Sequence, residues 1–122
     1  METSQKQRYI ATAIPYLNGP PHVGHAKDYL LADFWTRYQR QNGHDVRFQA
    51  GTDEHGNKIS VKAAEHNLAP QEFTDRMSVV YKNFIAKLGV EYTDFVRTTD
   101  THHVQAVQHI WQQLKPYIYK DS

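Results

Sequence analysis

The period of apolar and polar positions changes several times along the chain, and each change marks an element. Tyr9-Ile10-Ala11-Thr12-Ala13-Ile14 is a short apolar run, β-branched in part and stopped by Pro15, which predicts a buried strand over 9–14. Pro15 to Gly24 is rich in Pro, Gly and Asn and predicts a loop. From His25 the period lengthens. Leu31, Phe34, Trp35 and Tyr38 recur at i, i+3, i+4 and i+7, the core face of an amphipathic helix that Gly43 stops.

Asp45 to Ala50 alternates as a strand should and ends at Gly51. After a loop from Thr52 to Gly56, a helix is expected over about 57–66. Pro70 opens another, with Phe73, Met77, Val80, Tyr81, Phe84 and Leu88 on one face and Gly89 at its end. Phe95 to Thr99 predicts a short strand. Asp100 or Thr101 then caps a last helix whose core face is Val104, Val107, Trp111, Leu114 and Ile118, with Pro116 disturbing its final turn.

Strand, helix, strand, helices, strand, helix is the alternation of an α/β domain with a parallel sheet flanked by helices. Ligands of such sheets bind beyond the carboxyl ends of the strands. That directs attention to two loops, 15–24 and 51–56.

Composition narrows the class. The chain has 122 residues, enough for one small domain, and a formal net charge of +1 that does not by itself call for nucleic acid. It has no cysteine, so disulfides and thiolate zinc sites are excluded within it. Residues 1–8 are a polar tail with no apolar core of a secretory signal, and no run approaches the roughly 20 apolar residues of a membrane span. The expectation is a cytoplasmic protein with no membrane attachment.

The first loop carries His22, Gly24 and His25 directly before a helix. A helix amino terminus presents unpaired N–H groups to anions, and an imidazole can donate to a phosphate oxygen. Gly24, with no Cβ, allows close approach to the backbone. With eight histidines in the chain, His22 and His25 read equally as phosphate ligands or as a solvated pair. Neither the dinucleotide fingerprint nor the P-loop lysine is present, and no cluster has the spacing of a metal site. In the second loop, Asp53 can receive an ammonium group, or can serve as an ordinary loop carboxylate or helix cap. Glu54 and His55 can shape that loop. Ile14 and Tyr16 can pack at the strand end or wall a ligand.

Ala13-Ile14-Pro15-Tyr16-Leu17-Asn18-Gly19 followed by His22-Val23-Gly24-His25 resembles the HIGH signature of class I aminoacyl-tRNA synthetases, with Val23 in place of the usual Ile. Gly43-His44-Asp45-Val46 leading into Thr52-Asp53-Glu54-His55-Gly56 is similar to the methionyl-tRNA synthetases within that class. The resemblance runs from about Tyr9 to Tyr119. It implies a Rossmann-like sheet, the first half of the nucleotide-binding catalytic domain. It implies methionine, ATP and tRNA as substrates, with magnesium accompanying ATP. By the same resemblance His22 and His25 act in catalysis and bind ATP phosphates, Gly24 binds ATP by letting its adenosine portion sit against the backbone, and Ile14, Tyr16 and Asp53 bind methionine.

Four parts of the family pattern are not in this sequence: the lysine-rich KMSKS loop, the later part of the catalytic domain, the zinc-bearing connective insertion and the helical anticodon-binding domain. Arg76-Met77-Ser78 echoes the first only faintly and is expected to be core packing, as are Met77 and Trp111 generally; His102, His103 and His109 are expected on a helix surface. The resemblance therefore implies a fragment or truncated product that ends near the connective insertion, works with the remainder of a synthetase, and turns over poorly alone. The alternatives are a synthetase specific for valine, isoleucine or leucine, and a synthetase-derived nucleotide- or RNA-binding module without catalysis.

Overall fold

A computed structural model describes residues 6–120. Three parallel strands, β1 (Gln7–Ala11), β2 (Asp45–Thr52) and β3 (Asp94–Arg97), form a sheet in the order β1-β2-β3. Tyr9 lies opposite Arg47 and Ala50 opposite Phe95, so β2 is the central strand. The helix α1 (Val23–Gln41) links β1 to β2. α2 (Asn57–Glu65) and α3 (Pro70–Lys87) link β2 to β3, and α4 (Thr101–Leu114) follows, continued by a 3₁₀ turn at Lys115–Tyr117.

Val46, Phe48 and Ala50 alternate along β2 and are buried, as strand geometry requires when one face meets the core. Phe48 and Ala50 meet Tyr29 and Ala32 of α1, Ile85 of α3 and Val90 beyond it. A second cluster, Leu17, Ile59, Ala63, Phe73 and Tyr81, seats the first loop on α2 and α3. Each large aliphatic or phenylalanine side chain among them contributes about 1.5–3 kcal/mol by leaving water, and the alanines less. α1 and α3 therefore cover one face of the sheet. On the other face Tyr9, Arg47, Gln49, Asp94 and Val96 line a groove of about 590 Å³ with His102, His103 and Ala106 of α4. Gly43 (φ 79°) and Gly89 (φ 69°) follow α1 and α3 at the positions where a left-handed residue ends a helix.

The structure corrects four expectations. The first strand begins at Gln7, inside the segment read as a polar tail, and stops at Ala11; residues 1–5 of that tail lie outside the described residues. Among the described residues it pairs on one side only, and Tyr9 is 59% exposed, so it is the edge strand of this sheet and not a buried one. In α1 the buried residues are Tyr29, Ala32, Asp33 and Thr36, whereas Leu31 (59% exposed), Phe34 (73%) and Tyr38 (56%) face outward. The face expected to be core thus lies two residues, about 200°, around the helix from the one that packs. In α4 nothing is buried: Val107, Trp111, Leu114 and, beyond the helix, Ile118 are exposed, because no strand or helix of the described residues lies over them.

The other expectation for the Arg76-Met77-Ser78 stretch holds. Met77 packs against the second cluster, Ser78 is buried and bonds the Asp75 carbonyl, and Arg76 pairs with Glu72 on the surface. None of the helices is long and apolar enough to cross a membrane, among the described residues.

Candidate functional site

The site is built where β1 and β2 end. Beyond Ala11 the chain runs alongside the end of β2, and the two loops are zipped together. The Asp53 N–H donates to Pro15 O at 2.9 Å and the Leu17 N–H to Asp53 O at 3.1 Å, a parallel bridge that sets Tyr16 opposite Asp53. Gly51 is required inside this junction, because a Cβ there would land on the Val96 carbonyl oxygen and crowd Ile14. Gly56 (φ 123°) is required at the far end, where the Tyr16 hydroxyl occupies the space a side chain would need.

His22 and His25 form the first turn of α1. His22 is the N-cap, and its Nδ1 accepts the Gly24 N–H at 3.1 Å; His25, at N3, accepts the His22 N–H on its own Nδ1 at 3.1 Å. This is a capping box made of imidazoles in place of the usual Ser/Thr and Glu. Both rings stack at 3.9 Å between centroids, and His25 also meets the edge of Tyr81 at 5.5 Å. Since each Nδ1 accepts, each neutral ring carries its proton on Nε2. Two Nε2–H donors are thereby presented at a helix amino terminus. Burial, and then the neighbouring His22, lowers the pKa of His25 and favours that neutral form. Gly24 has a local reason to be glycine: a Cβ there would meet His22 Cε1 at 2.9 Å. His22, Gly24 and His25 line a cleft of about 440 Å³ with Ala13, Pro15, Lys27, Asp28 and Tyr29.

Asp53 is half-buried on the neighbouring cleft, about 360 Å³, shared with His55, Thr98, His103, Val104 and Val107. Ile14 faces the groove on the open side of the sheet, and Tyr16 packs into the second cluster. The structure thus gathers the six sequence-predicted residues on one rim, though in adjoining clefts and not in one cavity. Pro15 joins the histidine cleft to Asp53 through a single hydrogen bond.

Sequence reasoning missed several neighbours. Glu54 is more than a loop former: its side chain is fully buried and paired with Arg97 at 2.7 Å. Arg97 ends the last strand and Thr98 and Thr99 follow it at the same carboxyl rim, and that position was the signal that could have found them. His103, expected on the surface, lines two of the clefts; Lys27 and Asp28 line the histidine cleft. Among the described residues no group of three or more His, Asp or Glu side chains could hold a metal ion.

An open parallel sheet with its loops and a helix amino terminus gathered at the carboxyl rim defines the Rossmann-like class of α/β folds. Comparison with known proteins narrows it. A family model for class I tRNA synthetases (M) matches residues 8–122, and the chain belongs to that family. The methionine–tRNA ligase of Deinococcus radiodurans is 45% identical over 114 residues, covering 93% of this chain and 17% of that protein. That of Ureaplasma parvum serovar 3 is 41% identical over 118 residues, covering 97% of this chain and 22% of that protein. The structure of Mycobacterium tuberculosis methionyl-tRNA synthetase in complex with methionyl-adenylate superposes with a TM-score of 0.89 at 38% identity, covering 92% of this chain and 22% of that one. The chain therefore spans about a fifth of the length of the relatives it matches.

Proposed function

We propose that this chain supplies the ATP-phosphate and methionine subsites of a methionine–tRNA ligase. In that reaction the methionine carboxylate attacks the α-phosphate of ATP, pyrophosphate leaves, and the acyl group passes from methionyl-adenylate to the tRNA 3′ end. Charge gathers on phosphate oxygens as the α-phosphate is attacked, so donors fixed beforehand stabilise it best. The Nε2–H groups of His22 and His25 are such donors, and the amino terminus of α1 adds its N–H groups beside Gly24. Asp53 receives the methionine ammonium in a charge-assisted hydrogen bond. Ile14 and Tyr16 wall the thioether, which suits apolar and aromatic surfaces. Magnesium arrives with ATP, tRNA engages the remainder of a larger synthetase, and the setting is the cytoplasm.

One observation carries this reading: both histidines spend Nδ1 on the backbone, leaving Nε2–H free on the rim that Asp53 shares. The relatives named for methionine, and the one whose structure holds methionyl-adenylate, support methionine over valine, isoleucine or leucine. Calorimetric titration of the chain with a non-hydrolysable methionyl-adenylate analogue and with its leucyl counterpart tests it. Preferential binding of the methionyl analogue is expected. Equal binding would remove the methionine assignment, and binding of RNA without either analogue would favour a module without catalysis.

A further inference from the structure

Glu54 adjoins Asp53, and four hydrogen bonds end on its buried carboxylate. Thr52 Oγ1 and Thr99 Oγ1 each donate at 2.6 Å, and Arg97 donates from Nε at 2.7 Å and from Nη2 at 2.8 Å. The same Nη2 reaches Asp75 Oδ1 on α3 at 2.6 Å, where Gln71 also donates at 3.0 Å. The Glu54 N–H donates to Thr98 Oγ1 at 2.9 Å, and the Arg97 N–H to Asp100 Oδ2 at 3.0 Å. The carboxyl side of Asp53 is therefore tied to β3 and α3, while Pro15 and Leu17 hold the Asp53 peptide itself. Among the described residues, no hydrogen bond or ion pair ends on the Asp53 carboxylate.

A buried ion pair contributes little net stability, because desolvation offsets the attraction. What a two-pronged guanidinium–carboxylate contact does supply is orientation. We propose that Arg97, acting through Glu54, is the positioning residue of the amino-acid subsite: its fork fixes the Thr52–Glu54 segment so that the unpartnered Asp53 carboxylate meets the ammonium of the amino acid. This rests on the reading of Asp53 given above. The histidine cleft stands on a separate turn, and the network does not touch it.

The test titrates the whole chain with two probes: a sulfamoyl analogue of methionyl-adenylate, which carries the ammonium, and ATP, which does not. Arg97→Lys keeps the charge and loses the fork; Glu54→Gln weakens the other side. Both weaken the analogue about ten- to a hundredfold, the scale of a misplaced binding group. Affinity for ATP stays within about twofold, as for independent sites. Asp75→Asn, which cuts only the arm to α3, leaves the analogue within about the same twofold. Equal losses for both probes, no loss for the analogue, or a loss in Asp75→Asn matching that of Arg97→Lys would overturn the proposal. Should the unmutated chain fail to bind the analogue, the Asp53 reading falls, and amide hydrogen exchange decides the positioning claim. Exchange at Asp53 and Glu54 about tenfold faster in Arg97→Lys, with Phe48 and Ile85 unchanged, supports it; unchanged exchange at Asp53 defeats it.

Discussion

His22 and His25 hold each other in place: the Nδ1 of His25 accepts the backbone N–H of His22 at 3.1 Å while their rings stack at 3.9 Å. A proton on either Nδ1 would break a backbone bond. Burial first, then the charge of His22, sets the pKa of His25 below its ordinary 6.5. With the folded value lowered, the unfolded chain takes the proton first, so stability is lost as pH falls past 6.5. The melting temperature should be level at mildly alkaline pH and should begin to drop below 6.5, less steeply in His25→Gln. Asp75, held low by Arg97 and Gln71, gives up its contribution only in more acid solution, around pH 4 and below. A melting temperature that does not move between neutrality and pH 5 would contradict the account.

The same turn can be split into a structural and a chemical half. Aspartate is among the best N-caps, so His22→Asp should keep the Gly24 N–H bonded, and the melting temperature should hold or rise slightly. Its negative charge at the cleft should nevertheless weaken ATP binding by about tenfold or more. Unchanged ATP affinity in this variant would show that phosphate does not sit at His22.

Gly51→Ala should destabilise by about 1–3 kcal/mol, since the new methyl must displace a backbone carbonyl across the β2–β3 junction and not a flexible side chain. Gly19→Ala, with nothing within 4 Å of its Cβ, should stay within about 0.5 kcal/mol. Urea unfolding of the two variants side by side is the measurement.

The outward face of α1 sets the solution behaviour. Leu31, Phe34 and Tyr38 form an exposed apolar stripe, and such surfaces drive association. Sedimentation of the chain should be concentration-dependent, and Phe34→Glu should shift it toward monomer without lowering the melting temperature. A wild-type chain that remains monomeric at high concentration would dispose of this prediction.

The sequence made the order of elements legible because punctuation was strong: Gly43, Pro70 and Gly89 each fall at a real boundary, whereas β1 stops at Ala11, short of Pro15, and β2 runs through Gly51 to Thr52. The rim was legible too, since Asp53 and the histidines follow strands. The packing face of α1 was not. Two faces of that helix satisfy the same spacing, and the one that packs carries Ala32, Asp33 and Thr36, which read as weak beside Leu31 and Phe34. Small and polar residues let a helix lie close to a sheet, and Asp33 is buried only because Arg37 and the Glu91 N–H partner it. Periodicity shows which residues share a face; it says nothing of what covers them. Likewise the Glu54–Arg97 pair spans residues far apart in the chain, a separation that no local pattern discloses.

The bridge between Tyr16 and Asp53 has a thermodynamic corollary. Two segments that share a ladder cannot wander independently, so whatever quiets one also quiets the other, and the entropy lost on the first occasion is not lost again on the second. Two molecules seated on opposite banks of this seam would therefore favour each other's arrival without ever touching.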